Sequence, residues 1–190
     1  MMRRDEVLQT LAKHRTNELV LTTMSVAQEW PAYSQSEFDF NAIGTGMGHL
    51  PDMALGLAVA CPDRKVLALN GDGSMLMNLG VLVSIANTAP RNLILFVFEN
   101  EIYEVTGGQP IPGCGRANFA AMAKGAGFPH TFECDNLSAF DKELPQILKL
   151  DGPVFVTLLA GPSGKPLSTK AIPVRAAARA LRDTLTRVRR

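Results

Sequence analysis

Apolar positions along the chain recur at two alternating periods. Between residues 4 and 14, Val7, Leu8 and Leu11 fall at helical spacing, and residues 18 to 23 (ELVLTT) then read as a short strand. Residues 51 to 60 (PDMALGLAVA) place a proline at the start of an apolar, alanine-rich helix. Residues 65 to 70 (KVLALN) follow as a continuous apolar run bounded by turn residues, the pattern of a parallel strand buried on both faces. The same alternation predicts a helix over 74–89, a long buried strand over 92–100 (NLILFVFEN), a helix over 118–125 and a short strand over 131–135. A helix over 136–150 opened by an Asn/Ser cap and a last strand over 153–160 (PVFVTLLA) complete it. Strand and helix thus alternate throughout. They predict an α/β fold: an open, mostly parallel, doubly wound sheet of about six strands with helices on both faces, whose ligand-binding residues follow the strand ends.

This core is expected to span residues 1–160. Residues 161–168 (GPSGKPLS) read as a linker, and Val174, Ala178, Leu181, Leu185 and Val188 recur at spacings of four and three among several arginines. Residues 161–190 are therefore expected to form a linker and an amphipathic C-terminal helix that docks on its own domain or on a partner subunit.

Composition narrows the class. With 190 residues, 46% of them hydrophobic, the chain has room for one substantial core and not for two. Nineteen basic against eighteen acidic residues leave a net charge of +1, which points to neither nucleic acid nor a membrane surface as partner. Cys61, Cys114 and Cys134 are odd in number and contain no C-x-x-C pair, so no disulfide framework or zinc site is expected. No apolar run reaches the roughly 18 residues of a membrane span, and no signal-peptide pattern opens the chain, so a cytoplasmic location is expected.

The chemistry concentrates at two strand ends. After KVLALN comes Gly71-Asp72-Gly73-Ser74, leading directly into a helix. The glycines permit close backbone approach, the helix start offers free N–H groups to a phosphate, and the carboxylate between them can hold a divalent cation. Taken alone, Gly-Asp-Gly is also a common turn. Asn100 lies 28 positions after Asp72 at the end of NLILFVFEN, so one strand-helix-strand unit brings both side chains to one edge of the sheet. Asp72, Asn100 and a nearby carbonyl make a hard oxygen set suited to Mg²⁺ with a diphosphate.

G-D-G-S followed by an asparagine at the next strand end resembles the diphosphate-binding signature of thiamine diphosphate enzymes. The resemblance extends over roughly residues 40 to 130. Gly44-Thr45-Gly46-Met47-Gly48-His49, ALGLAVACPDRKVLALNGDGSMLMNLG, APRNLILFVFEN and Thr106-Gly107-Gly108-Gln109-Pro110 resemble, in order, the pyrophosphate-binding domain of sulfopyruvate and phosphonopyruvate decarboxylases. It implies the thiamine diphosphate-binding fold, thiamine diphosphate and Mg²⁺ as cofactors, and decarboxylation of a small 2-oxo acid. Asp72 and Asn100 are implied as side-chain ligands of Mg²⁺ and Ile102 as a carbonyl ligand. Gly71, Gly73 and Ser74 are implied at the diphosphate, and Tyr103 beside the cofactor. Met47 aligns with the apolar residue that wedges between the two cofactor rings, with Thr45, Gly46 and Gly48 letting the main chain approach the aminopyrimidine.

In this family a glutamate on a separate pyrimidine-binding domain activates the cofactor. Glu18 and Glu29 lie in a segment only one helix and one strand long, and neither is a persuasive counterpart. The resemblance therefore implies a shared active site in a hetero-oligomer, with this chain as the beta subunit and an alpha subunit supplying the glutamate.

The pattern departs from the family at Glu99-Asn100-Glu101-Ile102-Tyr103-Glu104-Val105. Glu99 and Glu101 read as solvated charges. Glu104 stands where relatives carry a small or acidic residue facing the site, and is a candidate for proton transfer with a raised pKa. Val105 replaces a serine, and the lost hydroxyl together with the added carboxylates works against a doubly charged sulfonate or phosphonate. His49 is a second candidate for proton transfer or for holding the substrate carboxylate, set against an equally good reading as a helix N-terminal residue. His14, His130 and Cys114 have no chemical neighbours in the sequence. A dinucleotide fingerprint fails because its third glycine would fall at His49, and a P-loop fails because Pro166 follows Lys165. Two alternatives stay open: a carboligase or decarboxylase of a different 2-oxo acid, and a non-catalytic cofactor-binding subunit.

Overall fold

A computed structural model describes residues 1–42, 46–164 and 173–188. In chain order the elements are β1 (Met2–Arg3), α1 (Arg4–His14), β2 (Leu19–Thr23), α2 (Met24–Glu29), β3 (Asp39–Ala42), α3 (Leu50–Ala60), β4 (Val66–Gly71), α4 (Asp72–Leu76), α5 (Val81–Thr88), β5 (Leu93–Glu99), β6 (Ile102–Tyr103), β7 (Gln109–Pro110), α6 (Phe119–Ala126), β8 (His130–Cys134), α7 (Leu137–Ile147), β9 (Val154–Gly161) and α8 (Val174–Val188). Seven strands form one sheet in the order β1-β9-β5-β4-β2-β3, with β8 also pairing with β9. Every pairing in it is parallel.

The fully apolar runs become the central strands, as their burial on both faces requires. Along β5, Leu93, Leu95 and Val97 pack on one side with residues of α3, α5, α6 and α8. Ile94, Phe96 and Phe98 pack on the other with residues of α1, α2 and α7. The doubly wound expectation holds. The chain steps from β2 outward to β3 and then back across β2 to β4, so the carboxyl ends of β2 and β4 flank a switch point, where such sheets bind ligands.

Several elements differ from the sequence expectation. The strands β1 and β3 are too short and too polar to give an apolar run, and they supply the two edges of the sheet. The expected helix over 74–89 is two helices, α4 and α5. Between them, Asn78 turns its side-chain amide to Asp52 Oδ2 at 3.0 Å, and Gly80, a poor helix former, precedes the first residue of α5. The Asn136 cap is present, its side chain accepting from the N–H of Ala139 at 3.0 Å. Helix α8 docks on its own domain: Leu181 is buried in the core, with Val174, Ala177 and Leu185 packed against it. Val174, Leu181 and Leu185 of the expected stripe face inward, while Ala177 takes the place of Ala178 and Val188 is exposed. No helix among the described residues is long and apolar enough to cross a membrane.

At the amino edge of the sheet, Asn92 at the entry to β5 secures the end of α3. Its side-chain amide donates to the carbonyls of Ala58, Cys61 and Arg64 at 3.1, 2.9 and 2.8 Å. The Cys61 carbonyl also accepts the N–H of Arg64 at 3.1 Å, so the amide reinforces a turn that closes the helix end. Asn92→Ala is expected to destabilise the chain by about 1–3 kcal/mol in urea unfolding, with an unchanged denaturant slope. A loss within a few tenths of a kcal/mol of zero would show that water replaces the amide there.

Candidate active site

The ends of β2, β4 and β5 open onto one cavity of about 180 Å³, lined among others by Met47, Gly71, Asp72, Gly73, Ser74, Asn100, Ile102 and Tyr103. With Glu104, nine of the site candidates read from the sequence therefore converge, although Asp72 and Asn100 lie on separate strand ends. Register explains this: in the parallel pairing of β4 with β5, Gly71 stands opposite Phe98, and both chains leave the sheet at the same edge.

Asp72 is the centre of the arrangement and is 3% exposed. Its Oδ2 accepts the N–H groups of Asn100 at 2.9 Å and Glu101 at 2.6 Å, and its Oδ1 accepts that of Gly73 at 2.6 Å. Glu101 adopts a left-handed backbone (φ 64°), which places two successive amides on one carboxylate oxygen. Burial pushes the Asp72 carboxyl above its ordinary pKa, and the three amides pull it back. No cationic side chain among the described residues forms an ion pair with it. Such a carboxylate favours a cation beside it.

Asn100 points its two amide ends in different directions. Oδ1 accepts the N–H of Ile102 at 3.1 Å, and Nδ2 donates to Glu104 Oε2 at 3.3 Å. The Ser74 hydroxyl accepts the N–H of Gly48 at 2.9 Å, tying the glycine loop to the turn after β4. Gly48 has φ 77°, in the left-handed region that glycine tolerates. A Cβ on Gly73 would lie 2.5 Å from the Tyr103 ring, so only glycine lets that ring cover the turn. Met47 borders the cavity and is 45% exposed.

Other expectations are corrected. His49 does not line the cavity: its side chain is 71% exposed and its Nδ1 meets Asp52 Oδ2 at 2.9 Å at the start of α3. Glu104 does line the cavity, but its pKa is lowered and not raised, because the Arg4 guanidinium and the Ser25 hydroxyl outweigh the effect of burial. Glu101 is not simply solvated, since its Oε1 accepts the N–H of Gly115 at 2.6 Å. The Gly73 N–H, expected at a diphosphate, is directed to Asp72. Gly46 is not part of the cavity wall; its carbonyl accepts from His49 and Leu50 at 3.0 and 2.9 Å. Thr45 lies outside the described residues.

Sequence reasoning missed Arg4, Thr23, Met24 and Ser25, all of which line the cavity. Met24 leaves β2 with φ 54°, a conformation that a non-glycine residue adopts only at a cost, and so turns α2 across the cavity. Nothing in a Thr-Met-Ser sequence signals that turn.

The residues fit a divalent cation with a phosphorylated cofactor: a buried carboxylate without a basic partner, an amide oxygen beside it, and a glycine turn that a Cβ would obstruct. Known proteins bear on the same site. The family described as thiamine pyrophosphate enzyme, C-terminal TPP binding domain, matches residues 21–158. The chain belongs to that family. It is 35% identical over 159 residues to a sulfopyruvate decarboxylase subunit beta from Methanothermobacter thermautotrophicus, covering 82% of this chain and 80% of that protein. It is 32% identical to a phosphonopyruvate decarboxylase from Streptomyces viridochromogenes over 83% of this chain, but spans only 40% of that protein. Among solved structures, a thiamine diphosphate-dependent 4-hydroxybenzoylformate decarboxylase from Rhodococcus jostii superposes with a TM-score of 0.66 at 18% identity. That match covers 84% of this chain and 32% of the other, and supports the shared fold.

The carboxylates around the thiamine pyrophosphate site carry a pH signature. Burial and the charges of Asp72, Glu101 and Glu133 push Glu99 from an ordinary 4.5 up to about 7. Between those two values the folded chain keeps a proton that the unfolded chain has released, so the Glu99 contribution to stability falls as the pH rises from 4.5 to about 7. Glu99→Gln is expected to remove that decline from the cofactor-free chain in urea unfolding across the same range. An unchanged pH slope would place the charge repulsion elsewhere.

Proposed function

We propose that this chain is the beta, diphosphate-binding subunit of a two-subunit thiamine diphosphate- and Mg²⁺-dependent decarboxylase of small 2-oxo acids, of the sulfopyruvate and phosphonopyruvate type. The observation that carries this reading is Asp72: a buried carboxylate at a sheet switch point, without a basic side-chain partner and one hydrogen bond from the Asn100 backbone. The extent of likeness to a protein named as a beta subunit supports the two-subunit part. So does the size of the cavity, about 180 Å³, against the roughly 300–1,000 Å³ of pockets that enclose a ligand of drug size. A second chain would complete it and supply the activating glutamate.

In this reading Asp72 and Asn100, with the Ile102 carbonyl, would hold Mg²⁺, and the turn at Gly71, Gly73 and Ser74 would face the diphosphate. Bound thiamine diphosphate supplies an electron sink for breaking the bond to the substrate carboxylate. Met47, which borders the cavity, would contact the organic part of the cofactor. The apolar side chains of Met24, Val26 and Phe98 line the cavity and would limit water around a bound substrate once the partner chain covers it. In this reading His49, which pairs with Asp52, and Glu104, which pairs with Arg4, are not assigned the proton transfer.

Product analysis on a panel of 2-oxo acids tests this reading, comparing the chain alone with the chain co-purified with its partner subunit. CO₂ release that requires both chains, Mg²⁺ and thiamine diphosphate is expected, with little or none from the single chain. Full turnover by the chain alone would contradict the shared site. A complex that binds cofactor but turns over no 2-oxo acid would favour a non-catalytic subunit.

A further inference from the structure

Arg4 is the first residue of α1, and although arginine is ordinarily exposed, only 2% of its side chain reaches solvent. The guanidinium forks onto Glu104, Nη1 to Oε2 at 2.6 Å and Nη2 to Oε1 at 3.0 Å. Its Nη2 also donates to Glu29 Oε1 at 2.7 Å, and the Ser163 hydroxyl donates to that same oxygen at 2.7 Å. One buried cation thus joins α1, the end of α2, the turn after β6 and the exit of β9.

The consequence runs through Glu104 to Asn100. A carboxylate accepts hydrogen bonds and donates none, so its contact at 3.3 Å is with the NH₂ end of the Asn100 amide. The Ile102 N–H at 3.1 Å independently selects the oxygen end. Together they fix which way round the amide sits. The oxygen keeps a second lone pair free, and the nitrogen, which cannot ligate a metal, is turned away. Glu104 can do this only while its own charge is held. Left unpaired, a carboxylate four residues from a ligand would compete for the cation and repel a diphosphate. The bidentate guanidinium occupies both of its oxygens and prevents this.

We propose that Arg4 is a positioning residue for the cation ligand Asn100 and acts through Glu104. This rests on the assignment of Asn100 as a Mg²⁺ ligand. It gives the N-terminal helix a part in cofactor binding, and it assigns to Glu104 an orienting role in place of proton transfer. The arrangement is that of outer partners which orient the groups touching a metal.

The test is a Mg²⁺ titration of the co-purified complex in excess thiamine diphosphate, followed by calorimetry and near-ultraviolet circular dichroism. Glu104→Leu is expected to raise the half-saturating Mg²⁺ concentration about 10- to 100-fold. Glu104→Gln, which retains volume and an acceptor oxygen, should raise it less, and Arg4→Lys, which offers a point charge in place of a fork, should shift it in the same direction. In an Asn100→Ala background, Glu104→Leu should add no more than about twofold. That non-additivity separates positioning from a general loss of structure, and melting in metal-free buffer checks that each variant is folded. An unchanged Mg²⁺ requirement in Glu104→Leu and Glu104→Gln, or a shift that persists in full without Asn100, overturns the proposal. Asp72→Ala serves as the control for the site itself. If it abolishes Mg²⁺-dependent cofactor binding while the Glu104 variants do not alter it, only the positioning role fails. If it binds like the unaltered chain, the site assignment fails and the positioning role with it.

Discussion

A carboxylate withdrawn from water at the end of a parallel strand has to be compensated, and around Asp72 backbone amides do most of that work. The N–H groups of Asn100 and Glu101 come from the loop that follows the neighbouring strand β5, so the ionic constraint is also a structural one. It holds the loop after β5 against the turn after β4 and fixes the distance between the two strand ends. Amide dipoles stabilise an anion without neutralising it. The site thus retains a negative charge that suits a divalent cation, which, unlike a lysine ammonium, can take a carboxylate oxygen, an amide oxygen and phosphate oxygens together as ligands.

The rest of the edge is arranged around that charge. Ser74 reaches the glycine loop, Tyr103 lies over Gly73, and the left-handed Glu101 turns its carboxylate away to Gly115. On the far side of the cavity, Arg4 gathers Glu29 and Glu104. An unpaired Glu104 beside Asn100 would compete for a cation there, and the buried guanidinium holds it out of that competition. Carboxylate, amide and guanidinium thus form a graded series from the cavity floor to the N-terminal helix.

The sheet was legible where physics leaves a periodic trace. The six residues LILFVF that precede Glu99 are apolar at every position because both faces of β5 are covered, and so short a run bounded by polar residues suits a buried strand. The turn GDGS and Asn100 were legible because strand alternation alone brings them to one edge. Elements without a period were not: β1 has two residues, and β3 reads DFNA. The division of α4 from α5 depends on Asn78 reaching Asp52, a contact made only in the folded chain. Arg4 was illegible for the same reason, since its partner Glu104 lies 100 positions away and both residue types are ordinarily exposed. The direction of the Glu104 pKa was misread because the sequence shows its neighbours in the loop and not the guanidinium across the cavity. His49 was misread because adjacency to a glycine loop does not set the direction of a side chain at a helix start.

On the proposed reading, the Asp72 edge holds a divalent cation. Anomalous diffraction from crystals of the complex grown with Mn²⁺ in place of Mg²⁺ and with thiamine diphosphate tests it most directly. The predicted result is one manganese peak at bonding distance from an Asp72 carboxylate oxygen, Asn100 Oδ1 and the Ile102 carbonyl, with Glu104 still on Arg4. A peak bound instead through Glu104 or Glu99, or an Asp72 that keeps only its amides while cofactor is present, would contradict it.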